Sequence, residues 1–257
     1  AVDAMLERMC DVSLVEAFPS SDGASRSVRG TIDRVRDALE GTGATLGGVS
    51  PEDRDLVRGL YRAFPYVLGF VVLLTLILLA RAFRSLLLPL KAVLLNLVSL
   101  AAAIGIVVIV FQMGHGSEAL WGIHATDAIY PWIPLMIFAF LYGLSMDYEV
   151  FMLTRMREAY DETGDTDRAI ELGLARTGKL VTSAALVLML AFIVFSAGPG
   201  PDLKQFAIGL AAGIIFDATV IRALLVPSLM KLLGDWNWWL PAPVSRALLV
   251  PAPESAG

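Results

Sequence analysis

The sequence contains very little that could build a disulfide or a metal site. Among its 257 residues there is one cysteine, Cys10, and there are two histidines, His115 and His124. A single cysteine excludes an intrachain disulfide, and no cysteine or acidic residue accompanies the histidines at the spacing of metal ligands. We therefore predict neither a metal nor a bound cofactor, and we assign both histidines to a loop.

Charge is scarce as well. Only 18% of the residues are charged whereas 56% are hydrophobic, and the mean hydropathy is +0.68. Ordinary soluble domains are about 45–50% apolar, so this composition, with its several long apolar runs, indicates a polytopic membrane protein. The net charge of −5 gives no reason to expect a nucleic-acid partner. The opening AVDAMLERM lacks the basic start and apolar core of a signal peptide, and we expect a piece of a longer polypeptide.

Residues 1–62 differ in composition from the rest. A first helix is predicted from the cap residues Asp22 and Ser25, the apolar positions Val28, Ile32, Val35 and Leu39, and the terminating Gly41. The stretch GATLGG predicts a short strand or turn, and SPED predicts the start of a second helix, since proline and acids favour a first turn. We interpret this segment as a small α+β element, helix–strand–helix, too short to bury a core of its own.

Five apolar runs follow in residues 63–233. The predicted spans are 64–80, 89–111, 131–153, 179–197 and 205–227. Each is close to the roughly 20 residues that a helix needs to cross about 30 Å of hydrocarbon. The predicted fold is therefore an all-α membrane domain of five helices, followed by a tail at residues 234–257.

The connections between these spans differ in basic residues. Those in the first and third connections are Arg81, Arg84, Lys91, Arg155, Arg157, Arg168 and Arg176, whereas the second has none and the fourth has only Lys204. By the positive-inside rule the first and third connections and the C-terminus are cytoplasmic, and the N-terminal segment is extracytoplasmic. We interpret residues 154–178 as a solvated helix, and Trp236, Trp238 and Trp239 as an aromatic belt at the inner interface.

The third span carries a carboxylate inside the stretch GLSMDYEVF. A charge at the bilayer centre costs from about 3 kcal/mol on insertion scales to above 10 in simulations. Ala139, Gly143, Asp147 and Phe151 recur every four residues and line one stripe, where small residues allow another backbone to approach. Asp147 could then bind and release a proton, with Tyr148 as a hydrogen-bond donor or proton carrier. The alternative is a protonated Asp147 that only joins two helices.

The fifth span repeats this pattern. Gly209, Gly213 and Asp217 share one stripe, and GLAAG supplies a GxxxG surface for helix packing. Asp217 either serves proton transfer or is simply paired with Arg222, five residues further on.

Other polar residues inside the spans give weaker signals. Thr182 and Ser183 in the fourth span either contribute hydroxyls to a site or bond back to the preceding turn, which is the commoner outcome. Asn96 in the second span is equally ambiguous.

Three stretches carry a family resemblance. GLSMDYEVFMLTRMRE, ARTGKLVTSAALVL and QFAIGLAAGIIFDATVIRALLVPSLM resemble, in order and spacing, three consecutive motifs of the MmpL (mycobacterial membrane protein large) or MMPL-type exporters of the resistance-nodulation-division superfamily. The likeness covers roughly residues 20–240. Such exporters have two halves, each with an extracytoplasmic porter domain and six spans. The resemblance therefore implies a C-terminal fragment, in which residues 1–62 end a porter domain and five spans belong to the second half-bundle.

The resemblance also implies a function. It implies proton-driven export of lipids or hydrophobic compounds across the bacterial plasma membrane, without enzymatic activity and with protons as the coupling ion. Asp147 and Tyr148 match a proton-relay pair, Phe151 an aromatic that closes the relay channel, and Asp217 and Ser183 further relay positions. The expected partners are membrane lipids, a lipid or hydrophobic substrate and the missing N-terminal half, and homo-oligomers are left open.

Two rival functions are weighed against transport. An intramembrane aspartyl protease would also carry two aspartates on separate helices, but its Gly-x-Gly-Asp motif is absent, because Leu-Ser-Met precedes Asp147 and Ile-Ile-Phe precedes Asp217. A sterol-sensing or receptor-like relative would couple the same helices to a signal.

Overall fold

The computed structural model describes residues 26–125 and 129–247. The α-helices in these ranges are α1 (Arg26–Leu39), α2 (Val49–Phe83), α3 (Leu87–Val107), α4 (Ser117–Trp121), α5 (Ile133–Thr163), α6 (Thr166–Phe195), α7 (Pro201–Phe216), α8 (Val226–Leu233) and α9 (Ala242–Ala247). Two π-helical segments, Val108–Gln112 and Asp217–Leu225, continue α3 and α7, and a 3₁₀ turn covers Gly234–Trp238. The predicted caps Asp22 and Ser25 lie outside the described residues.

The chain divides into two compact units, Ala1–Arg58 and Gly59–Gly257. In the first unit, α1 ends two residues before Gly41, whose φ of +81° suits a glycine, as predicted. Ion pairs join α1 to the first part of α2: Asp33 with Arg54, Asp33 with Arg58 at 3.7 Å, and Arg36 with Asp55 at 2.7 Å.

The predicted strand in the first unit is wrong. Residues 44–47 have no regular secondary structure, and none of the described residues lies in a strand. The stretch GATLGG begins at Gly43 and ends at Gly48, and both glycines have a positive φ. A lone extended segment would have no neighbouring strand to satisfy the hydrogen bonds of its backbone. The described part of this segment is therefore helical with a loop, and not an α+β element.

Five helices are long and apolar enough to cross a membrane, as predicted. Their bounds are Arg54–Phe83, Leu87–Gln112, Ile133–Thr163, Thr166–Phe195 and Pro201–Trp238, and they are called the first to fifth spans below. They extend beyond the apolar runs because helical structure continues into the polar flanks. Helix α2 begins at Val49 and continues through the first span without interruption, with Pro65 in its interior.

Residues 154–178 do not form a single solvated helix, which corrects the sequence interpretation. Helix α5 ends at Thr163, Gly164 turns the chain with a φ of +66°, and α6 begins at Thr166. The carboxylate of Asp165 caps α6 by accepting from the backbone N–H groups of Asp167 at 2.8 Å and Arg168 at 3.2 Å. The third and fourth spans therefore form a helical hairpin with a two-residue connection.

Helix α7 packs against α3, α5 and α6 and lies at the centre of the bundle. One buried cluster toward the Gly164 end includes Leu88, Leu153 and Met230, and a second toward the other end includes Phe111 and Leu210. Two glycines of α7 allow this packing. A Cβ built on Gly209 would lie 2.6 Å from both Val107 and Ile137, and one on Gly213 would lie 2.9 Å from Ala103 and 2.8 Å from Leu141.

The three tryptophans near residue 238 do not behave alike. Trp236 and Trp239 are exposed, in keeping with an interfacial belt, whereas Trp238 is buried. The Trp238 ring stacks on Tyr160 at 4.1 Å, and its Nε1 donates to Thr166 Oγ1 at 3.0 Å. The belt prediction is wrong for Trp238, because packing against the α5–α6 hairpin satisfies both its apolar ring and its single donor.

Candidate functional site

An ion pair lies inside the fifth span. Arg222 Nε donates to Asp217 Oδ2 at 2.8 Å, and the two side chains are only 5% and 8% exposed. In an α-helix, residues five apart point about 140° away from each other. Here Asp217–Leu225 is π-helical, and i→i+5 hydrogen bonding places such residues one above the other. The π segment therefore makes this pair possible.

Arg222 also binds the third span. Its Nη2 donates to the backbone oxygen of Ser145 and, at 3.0 Å, to the Ser145 hydroxyl, while its guanidinium lies 5.2 Å from the centre of the Tyr148 ring. Its Nη1 has no hydrogen-bond partner among the described residues. The pairing of Asp217 with Arg222, one of two sequence alternatives, is thus present and is part of a larger network.

Ser145 sits between two acceptors. Its Oγ lies 3.0 Å from Asp217 Oδ1 and 2.5 Å from Asn96 Oδ1. A hydroxyl carries one proton and can donate to only one of them at a time. Asn96, ambiguous from the sequence, thereby joins the second span to this network, and rotation of one hydroxyl changes whether Asp217 receives its hydrogen bond.

Two buried ionisable residues were missed by the sequence analysis. Glu149 is 3% exposed and Lys91 is 6% exposed. Glu149 Oε1 has no hydrogen-bond partner among the described residues, and Arg222, Asp217 and Lys91 are the charges that act on this carboxyl group. The four-residue spacing of Ser145 and Glu149 was the available signal, because it places both on one helix face. Lys91 was counted as a loop charge.

The predicted relay residues divide between two faces of the third span. Tyr148 turns toward Arg222, whereas the whole stripe of Ala139, Gly143, Asp147 and Phe151 is exposed. No atom lies within 4 Å of a Cβ built on Gly143. The structure therefore does not bring Asp147 to Asp217, and none of the described residues covers the stripe that was predicted to face protein.

The remaining predicted positions lie apart from the network. Ser183 is exposed, and its hydroxyl donates to the Leu180 backbone oxygen at 3.0 Å, which is the local back-bonding alternative. His124 lies in a loop, 3.3 Å from Glu118. Among residues 26–125 and 129–247, no group of three His, Cys, Asp or Glu side chains could hold a metal ion.

Comparisons with known proteins relate this chain to a family. The sequence model described as the MMPL family matches residues 10–250. The chain is 36% identical over 243 residues to the mycolic acid-containing lipids exporter MmpL11 of Mycolicibacterium smegmatis, covering 93% of this chain and 25% of that protein. It is 39% identical over 202 residues to the trehalose monomycolate exporter MmpL3 of Mycobacterium tuberculosis, covering 79% of this chain and 21% of that protein.

A third relative carries a different description. The heme uptake protein MmpL11 of Mycobacterium tuberculosis is 36% identical over 233 residues, covering 89% of this chain and 24% of that protein. These names describe transport proteins and not enzymes, and the chain spans about a quarter of the length of the curated relatives it matches. With a family match over nearly all of its residues and five candidate membrane spans, the chain belongs to the MMPL family.

Proposed function

We propose that this chain is the C-terminal membrane half of a proton-driven transporter that exports lipids or other hydrophobic compounds across the bacterial plasma membrane. The observation that carries the proposal is the Asp217–Arg222–Ser145 network, buried among long, predominantly apolar helices. Ionisable groups at membrane depth are expensive and mark ion or proton pathways. Two of the relatives are named as lipid exporters, which supports a lipid cargo.

The exposed stripe of the third span is where we place the missing half. Asp147 lies on this stripe, and an uncovered carboxylate in contact with acyl chains would be very costly. A second helix bundle packed on Ala139 and Gly143 would cover it, since small residues permit close approach. In this arrangement Asp147 faces the N-terminal half, and Phe151, one turn further along, limits access to it.

Proton binding at Asp147 would act on the fifth span through Tyr148. Tyr148 is adjacent to Asp147 in sequence and contacts the Arg222 guanidinium. Displacement of the third span upon a change of charge at Asp147 therefore alters the surroundings of the Asp217–Arg222 pair. One charge moving through 100 mV supplies about 2.3 kcal/mol, and a shift of one pKa unit corresponds to about 1.4 kcal/mol. A carboxyl group whose proton affinity changes by one or two units between two helix packings can use that energy.

The geometry opposes the protease alternative. A carboxylate dyad requires two acids close enough to share a proton. Asp217 is instead paired with Arg222, and Asp147 is exposed on another face of the third span.

The basic residues in the connections favour one orientation in the membrane, with a cytoplasmic C-terminus and an extracytoplasmic N-terminal segment that ends the porter domain.

The test is transport by the full polypeptide in vesicles with an imposed proton gradient. We expect Asp147→Asn to abolish proton-coupled lipid transport without reducing expression or membrane insertion. Asp161→Asn is the matched control, because Asp161 lies on the same helix with a 55% exposed side chain. Transport by Asp147→Asn at the wild-type rate would contradict the proposal, and cleavage of a membrane substrate by the purified protein would favour the protease.

A further inference from the structure

A second group of buried polar side chains continues from the site toward the Gly164 end of the bundle. The members are Glu149 on α5, Lys91 and Ser85 at the start of the second span, and Asn237 in the turn after α8, all no more than 6% exposed. None of them is needed for the relay proposed above. Polar side chains buried in a membrane bundle are costly to keep there without a use.

Hydrogen bonds connect Lys91, Asn237 and Ser85 into a column, and Glu149 is related to Lys91 by charge. Lys91 Nζ donates to Asn237 Oδ1 at 3.0 Å. Asn237 Nδ2 donates to the backbone oxygens of Met230 at 2.7 Å and Gly234 at 2.6 Å, and the Asn237 backbone oxygen accepts from Ser85 Oγ at 2.5 Å. The column thus runs from the membrane interior to the turns that end the first and fifth spans.

Glu149 connects this column to the relay site. It lies one helical turn from Ser145, which contacts Asp217. The groups that face it are Lys91 from α3, Asp217 and Arg222 from the fifth span, and Tyr142 from its own helix. When all four charged groups are ionised, the two acids, Glu149 and Asp217, balance the two bases, Lys91 and Arg222. A proton added to either acid leaves the group with a net charge of +1.

The unpartnered oxygen of Glu149 is a site where a proton could bind. A buried carboxylate oxygen without a donor loses the hydrogen bonds it would have in water. A proton on this oxygen removes the charge, whereas Lys91 stabilises the carboxylate once the proton has left. Glu149 can therefore exist in either protonation state at moderate cost.

On the basis of the proposed function, we propose that Glu149 is a second proton-binding residue through which the proton leaves Asp217 toward the cytoplasmic ends of the helices, with Lys91 as its counter-ion. The proton passes from the Asp217 carboxyl group to the Glu149 carboxylate, and the ionised Asp217 then pairs again with Arg222. Glu149 next releases the proton to water at the cytoplasmic ends of the helices and is left as a carboxylate beside the Lys91 ammonium group, which has no lone pair to accept a proton and stays charged.

The experiment measures transport by the full polypeptide in vesicles while the pH on the cytoplasmic side is varied. We expect Glu149→Gln to lose the dependence of the rate on cytoplasmic pH. Glu149→Asp should restore that dependence, with its midpoint shifted by about one pH unit or more, a tenfold change in proton occupancy at fixed pH. Glu162→Gln is the matched control, since Glu162 lies on the same helix with a 63% exposed side chain, and its profile should match the wild type.

A double variant separates loss of proton binding at Glu149 from misfolding caused by an unpaired buried charge. Glu149→Gln leaves Lys91 without its counter-ion, whereas Lys91→Met combined with Glu149→Gln removes both charges together. The double variant should also lose the dependence on cytoplasmic pH. A wild-type pH profile in either variant, together with an inactive Asp147→Asn, would overturn the role of Glu149 and leave the proposed function intact. An active Asp147→Asn would overturn the proposed function itself.

Discussion

The buried ion pair of the fifth span predicts a large energetic coupling between Asp217 and Arg222. Their side-chain atoms are 2.8 Å apart, and at an effective dielectric constant of about 20 the Coulomb attraction is roughly 6 kcal/mol. Removing either partner leaves the other as an uncompensated buried charge, which typically costs about 3–5 kcal/mol. Removing both partners avoids that cost, so the double variant should be far more stable than the sum of the single variants predicts.

The perturbation is a double-mutant cycle with Asp217→Asn, which is isosteric, and Arg222→Met, which keeps an unbranched chain but removes the guanidinium group. We expect each single variant to lower the free energy of unfolding by about 3 kcal/mol or more, with a coupling energy above about 2 kcal/mol. The assay is denaturant unfolding of the chain in detergent micelles, followed by tryptophan fluorescence.

A second ion pair provides the control. Arg168 Nη1 and Glu171 Oε2 are 2.7 Å apart, but the two side chains are 54% and 68% exposed. Solvent screening and side-chain entropy limit such pairs to about 1 kcal/mol or less. A coupling energy for Asp217 and Arg222 no larger than that of the exposed pair would refute the reasoning, because it would mean that burial adds nothing to the interaction.

Three further predictions concern packing and capping, all measured as changes in the free energy of unfolding in micelles. Gly213→Ala should destabilise the bundle by about 1–3 kcal/mol, since its Cβ would lie 2.9 Å from a neighbouring Cβ, whereas Gly143→Ala should be neutral or stabilising. Trp238→Leu should cost at least about 2 kcal/mol through lost packing and a lost hydrogen bond, and Trp236→Leu, at an exposed position, should cost much less; equal losses would contradict this. Asp165→Ala should cost about 1 kcal/mol, because it uncaps α6; an unchanged stability would contradict that role.

The five spans could be predicted from the sequence because membrane insertion depends on the length and apolarity of each run, which are local properties. Whether residues 44–47 form a strand could not be decided from such local properties. A strand exists only if a partner pairs with it, and partnership is not local. Helix α2 runs without interruption through the change in composition near residue 63, so such a change does not by itself mark the end of a helix.

The candidate site shows the same limit. The pairing of Asp217 with Arg222 was among the sequence alternatives, but its five-residue spacing suits a π-helix, and the sequence gives no simple signal for that geometry. Glu149 was overlooked beside Asp147 in the same motif. Two residues apart on a helix, they point about 200° from each other, so one faces the bundle and the other does not. Deciding which of them faces inward requires knowing the neighbouring helices.

The π segment at Asp217–Leu225 holds one more residue in each hydrogen-bonded ring than an α-helix does. If this stretch returned to i→i+4 bonding, each residue beyond it would rotate by about 100° around the helix axis. Arg222 would then swing away from Asp217, and α8 would turn with it. The ion pair and the π-helical winding of the backbone therefore depend on each other, so that separation of Asp217 from Arg222 and rewinding of this segment would together rotate α8 around the helix axis.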